Sequence, residues 1–156
     1  MKKLFLLLLA ALLLAAAQTG AKDLSSRQLR LRTDIYEFLR DEGYRPEIDS
    51  DGDIEFKSEG HWYWVIINEN DERPMFVTLM RYAPYIESFD PEQAFDATKE
   101  LNLYKTAKVE INDDSAIIKS QMYLNSAEPF TDVFYKLKEI IDNVYDDFKM
   151  EYILAI

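Results

Sequence analysis

The chain has 156 residues with 29 acidic against 18 basic side chains, a net charge of −11, and no cysteine. So acidic a surface repels nucleic acid and anionic lipid, which excludes both as expected partners. Without cysteine there are no disulfides, no thiol nucleophile and no lipoprotein processing; with 2 Trp, 10 Tyr and 9 Phe there is still apolar mass for one core.

The first element is a leader. Lys2 and Lys3 precede an unbroken apolar run from Leu4 to Leu14, and small residues follow at Ala15–Ala17 and Thr19–Ala21. The run is too short to span a bilayer, so residues 1–21 read as a secretory signal peptide cut after Ala17 or Ala21. Its loss removes two positive charges. A single domain over 22–156 is then expected in the periplasm or outside the cell, with no membrane insertion.

"SSRQLRLRTDIYEFLRDEGY" predicts a helix capped by Ser25 or Ser26, with Gly43 at the left-handed position after its end. Leu31, Ile35, Phe38 and Leu39 form its apolar stripe.

"EIDSDGDIEF" resembles a calcium loop. With Gly52 at position 6 of an EF-hand, Asp49 falls at 3, Asp51 at 5 and Glu55 at 9. Position 12 is then Ser58, which cannot supply the bidentate carboxylate, and "IEFK" alternates as a strand where a helix is required. The stretch reads as a turn opening a hairpin, with no metal.

Three strands follow: "DIEFK", "HWYWVIIN" and "MFVTLMRY", the last two separated by a polar loop, "NENDER", with Pro74 opening the third strand. Strands apolar on both faces are expected at the centre of a sheet, covered on both sides. If Glu59–Gly60 is a two-residue turn, Ser58 pairs with His61, Lys57 with Trp62, Phe56 with Tyr63 and Ile54 with Val65. Ile54, Phe56, Tyr63, Val65 and Ile67 then share the core face. Trp62, Trp64 and Ile66 go to the other face, where they are the expected partner-binding residues. Their cover is either the next short helix or a second subunit or extended client.

That short helix is "PEQAFDATKELNL", with Asp90 as N-cap and Pro91 at the first helical position; Ala94, Ala97 and Leu101 lie on one side. "TAKVEIND" and "SAIIKSQMYL" form a second hairpin about Asp113–Asp114. From Glu128–Pro129 the longest helix begins, with Phe130, Val133, Phe134, Leu137, Ile140, Ile141, Val144 and Phe148 on its inner face. The order α-β-β-β-α-β-β-α gives one α+β domain with five strands.

Nothing in this pattern carries chemistry. His61 is the sole histidine and sits at a turn without a G-x-S-x-G motif. One histidine and no cysteine make a poor zinc set. Four glycines leave no phosphate loop, so no cofactor is implied. Asp113–Asp114 and Asp146–Asp147 read as solvated charge. No catalytic residue is assigned, and the chain is not expected to be an enzyme.

Taken together, the helix ending "EGY", then "DSDGDIEF", "EGHWYWVII", the helix ending "KELN", "KVEINDDSAII" and "FTDVFYKLKEIIDNVYDDF" closely resemble the YbjN-like family, described as bacterial sensory transduction regulators. The resemblance runs from Leu29 to Phe148. It implies the fold of class I type III secretion chaperones, helices on a five-stranded antiparallel sheet, and a homodimer. It implies a non-catalytic binding or chaperone-like module with a protein or peptide client. A self-assembling envelope subunit is the alternative. Export departs from the usual member.

Overall fold

The computed structural model describes residues 22–83, 89–102 and 106–154; the leader read over 1–21 lies outside the described residues. The elements are α1 (Ser26–Asp41), β1 (Glu47–Ile48), β2 (Ile54–Ser58), β3 (His61–Glu72), β4 (Met75–Tyr82), α2 (Pro91–Leu101), β5 (Lys108–Ile111), β6 (Ala116–Leu124) and α3 (Glu128–Leu154). The strands form one antiparallel sheet in the order β1-β2-β3-β4-β6-β5. The five expected strands are present, and β1 makes a sixth. It is the first two residues of the acidic stretch, Glu47 opposite Glu55 and Ile48 opposite Ile54.

Local signals set several boundaries. Ser25 caps α1 in a full capping box: its Oγ accepts from the Gln28 N–H, and the Gln28 side chain accepts from the Ser25 N–H at 2.8 Å. Gly43 ends α1 at φ +90°. Asp90 caps α2, its Oδ1 accepting from the N–H groups of Glu92 and Gln93. Between β2 and β3, Glu59 and Gly60 have φ +52° and +87°, the signature of a type I′ turn. The register is the expected one, Ser58 with His61, Lys57 with Trp62, Phe56 with Tyr63 and Ile54 with Val65.

"NENDER" corrects the sequence reading. Most of it belongs to β3, which runs to Glu72, and Pro74 lies in the turn before β4 rather than opening it. The pairing with β4 slips between Ile67 and Glu72. A tertiary contact accommodates the slip. Gln28, fully buried at the start of α1, donates its side-chain N–H groups to the carbonyls of Asn68, Glu69 and Asp71 at 2.7–3.2 Å.

The three helices among the described residues lie on one face of the sheet. α1 packs on β3, α3 crosses β4 and β6, and α2 packs against α3 and β5. The core between them contains Leu31, Ile35 and Leu39 from α1, and Ile54, Phe56, Tyr63, Val65, Ile67, Val77 and Leu79 from the strands. From α3 come Phe130, Phe134, Leu137, Ile141, Val144, Phe148 and Tyr152. Val133 departs from the expected inner stripe and is 40% exposed. No helix among the described residues is long and apolar enough to cross a membrane.

Candidate functional site

Strand parity and one-sided helices leave the second sheet face without a helix over it among the described residues. On β3, Tyr63, Val65 and Ile67 point into the core, so Trp62, Trp64 and Ile66 point away from it. The expected grouping of these three residues on one face is therefore present. The short helix does not cover them, since α2 packs on the helical side against α3 and β5. The expectation that the central strands are covered on both sides also fails among the described residues. β3 and β4 are central in the order, yet they meet helices on one face only.

The pairing extends the surface further than the β2–β3 hairpin revealed. Met80 lies opposite Trp64, and Thr78 opposite Ile66. On the next strand Lys119 lies opposite Met80, Gln121 opposite Thr78, Ile117 opposite Tyr82 and Tyr123 opposite Phe76. Trp62, Tyr82 and Tyr123 are 49%, 48% and 62% exposed, large values for aromatic side chains. Trp64 packs edge-on to Tyr82 at 5.2 Å between ring centroids, and Phe76 sits 4.8 Å from Tyr123. Lys57 Nζ stands 5.6 Å from the centroid of Trp62. Trp64, Ile66, Met80, Tyr82, Ile117 and Lys119 line a hollow of about 430 Å³ bordered by Asp49, Asp51 and Asp53.

That border is the acidic stretch, and it is a turn. Asp49 Oδ1 accepts from the N–H groups of Asp51 at 3.0 Å and Asp53 at 2.9 Å, and Gly52 takes φ +86°. Asp53 is ion-paired with Lys22, and Arg32 Nη1 donates to the Gly52 carbonyl at 2.9 Å. Burial raises the Asp53 carboxyl above its ordinary range despite Lys22, and Asp49 and Asp51 push the same way. Among the described residues no group of three or more His, Cys, Asp or Glu is placed to hold a metal ion.

Beneath the face, a polar cluster joins the sheet to α3. Arg81 is 3% exposed; its Nη1 donates to Asp142 Oδ1 at 2.5 Å, and its guanidinium stacks 3.5 Å from the Tyr145 ring centroid. The Tyr63 hydroxyl also donates to Asp142 Oδ1, and Lys138 donates to Oδ2 at 3.0 Å. Burial would raise the Asp142 carboxyl, but the hydrogen bonds from Tyr63, Lys138 and Arg81 outweigh it and hold it below the usual range. The Tyr63 hydroxyl is raised, first by burial and then by its bond to Asp142. This cluster holds the ends of β3 and β4, and so positions Trp62, Trp64 and Tyr82. Sequence reasoning missed it; an Arg within "MFVTLMRY" and a Lys138–Asp142 pair at helical spacing were its only traces.

His61 is exposed at the rim, 5.7 Å from the Tyr145 ring, and Asp113, Asp114, Asp146 and Asp147 are exposed as expected.

No family model matches the chain, and no curated protein matches it. Among solved structures, the chain is similar to a chain of the HopA1–SchA chaperone–effector complex at 10% identity and a TM-score of 0.53. The match covers 79% of this protein and 98% of that chain. At that identity the likeness is one of fold: helices on one face of an open antiparallel sheet.

Proposed function

We propose that the protein is a non-catalytic binding module, chaperone-like in mode, that acts through protein–protein contacts on its uncovered sheet face. Trp62, Trp64 and Ile66 are the centre of that surface. The observation that carries this reading is the exposure of Trp62, Tyr82 and Tyr123, with Trp64 and Ile66 half-buried beside them, on a sheet face that no helix among the described residues covers. Contiguous exposed apolar surface marks interaction sites, and tryptophan is enriched where binding energy concentrates.

Two further points support it. The motifs from Leu29 to Phe148 resemble the YbjN-like family, and the fold is similar to a chain from a complex of a chaperone with its effector. The leader-like N-terminus supports a place for the module in the periplasm or outside the cell, and the acidic composition speaks against nucleic acid and anionic lipid as partners. No reaction is assigned.

The test is Trp62→Ala combined with Trp64→Ala, read by circular dichroism and light scattering. The reading requires a folded protein that has lost its association with a second copy or with a client. If the variant unfolds, the tryptophans are core residues and the partner surface lies elsewhere.

A further inference from the structure

The segment ahead of α1 is held to the acidic turn. Leu24 is buried in the core, and its N–H donates to the Lys22 carbonyl at 3.0 Å. That fixes Lys22 beside residues 49–53. Its side-chain ammonium is ion-paired with Asp53, and its main-chain N–H donates to the Asp51 carbonyl at 3.4 Å. Gly52 keeps the approach open, since a Cβ there would meet Arg32 Nη1 at 3.3 Å and the Lys22 nitrogen at 3.7 Å.

The charges at this corner do not balance. Asp49, Asp51 and Asp53 bring three carboxylates into five residues. Among the described residues, the cations bonded to the turn are Lys22 Nζ, on Asp53, and Arg32, on the Gly52 carbonyl. Asp51 is exposed, and its carboxylate takes no hydrogen bond or ion pair among the described residues. Two cations face three anions, and a third cation at the Lys22 main-chain nitrogen would complete the set.

Processing can supply that cation. Hydrolysis after Ala21 breaks the Ala21–Lys22 peptide bond. Water gives its hydroxyl to the Ala21 carbonyl carbon and a proton to the Lys22 nitrogen. The proton lost by the new carboxyl group completes an α-ammonium, which has three donors where the amide had one. It forms where the turn already accepts a hydrogen bond. A cut after Ala17 instead leaves Gln18–Ala21 in front of Lys22 and puts the α-ammonium up to about 13–14 Å away along an extended chain.

We infer that the leader is cut after Ala21 and that the acidic turn is the seat of the α-ammonium so freed. This rests on the leader reading and is independent of the binding face. In the precursor the same nitrogen is a neutral amide. The turn that borders the hollow therefore gains its last partner only when the leader is removed.

Two chains test the inference, one starting at Lys22 and one at Gln18, each released from a fusion partner without added residues. Both contain every described residue, so both should fold. At pH 7 and low salt the Lys22 chain should melt about 1–4 °C higher by circular dichroism, the size expected of one partly exposed charge contact in a domain of this length. Asp49, Asp51 and Asp53 favour the protonated α-amino group, while Lys22 Nζ and Arg32 oppose them; the net attraction raises it above its ordinary value of about 8. Its contribution is then complete below that ordinary value and is lost as pH rises through the folded value, so the gap should close by about pH 10. Equal melting at pH 7, or a gap undiminished at about pH 10, overturns the seat. Mass spectrometry of the protein from its native host decides the cut. A start at Lys22 supports the inference, a start at Gln18 overturns it and spares the leader reading, and a retained Met1 overturns both.

Discussion

Asp142→Ala should be among the most damaging single changes outside the apolar core. The carboxylate joins three donors: Arg81 and Tyr63 on the strands, and Lys138 one turn earlier on α3. Arg81 would keep the Tyr63 hydroxyl at 3.3 Å and the face of Tyr145, but no counter-charge, and its Nε has no hydrogen-bond partner even in the intact protein. Removing one partner of a buried pair costs ~3–5 kcal/mol, since it strands the other charge in a poorly solvated site. The Asp142 side chain is 25% exposed and Lys138 can turn toward Glu59 at 3.4 Å. A loss at or somewhat below the bottom of that range, about 2–4 kcal/mol, is therefore expected. Urea denaturation at neutral pH, followed by circular dichroism, measures it. Arg81→Met with Asp142→Leu should regain much of the loss, because it removes both charges and keeps the volume. The pH dependence has a definite sign. The folded carboxyl titrates below its unfolded value, so its contribution is complete above the ordinary aspartate value of about 4 and disappears as pH falls through the folded value. The gap between parent and variant should narrow on acidification. A loss below about 1 kcal/mol, or a gap that does not narrow, refutes the assignment of Asp142 as the anchor of this cluster.

Leu137→Ala or Ile141→Ala, both buried on α3, should cost ~2–5 kcal/mol in the same assay, whereas Val133→Ala, on the exposed flank, should cost less than about 1. Asp49→Ala removes the acceptor of two backbone N–H groups and should lower stability by about 1–2 kcal/mol, while Asp51→Ala should be nearly neutral. Calcium at millimolar concentration should leave the melting temperature unchanged; a rise that grows with calcium and vanishes in Asp51→Ala would show that the turn is a metal loop. Mass spectrometry of the protein from its native host should find an N-terminus near Gln18 or Lys22, and a retained Met1 would refute the leader reading.

What could be read from sequence was what local chemistry dictates. Glu59–Gly60 sets a tight turn, the turn sets the register of β2 and β3, and the register puts Trp62 and Trp64 on the face away from Phe56 and Tyr63. Ser25, Asp90 and Gly43 mark helix ends because capping needs only a few consecutive residues. The rest depends on distant partners. "NENDE" has no apolar alternation, so nothing local distinguishes it from a loop; it continues as strand with Met75 opposite Glu72 and with Gln28, some forty residues earlier, holding its carbonyls. The α2 stripe shows that Ala94 is buried but not on which side of the sheet. Val133 fits the helical period of α3, yet the contact with the sheet is narrower than the stripe. Arg81 and Asp142 are 61 residues apart, and neither alone predicts the other.

The side-chain amide of Asn102, just beyond α2, closes a route that an open sheet ordinarily leaves available. Its Nδ2 donates to the Val109 carbonyl at 3.0 Å and its Oδ1 accepts from the Val109 N–H at 2.7 Å, occupying the outward main-chain groups of Val109 on the border strand β5. At the opposite border, β1 offers only two residues. Among the described residues both margins are short: β5 has four residues, Val109 already bonded, and β1 has two. A further strand added at either side therefore finds few main-chain groups to pair with, which works against lateral growth into ribbons or fibrils.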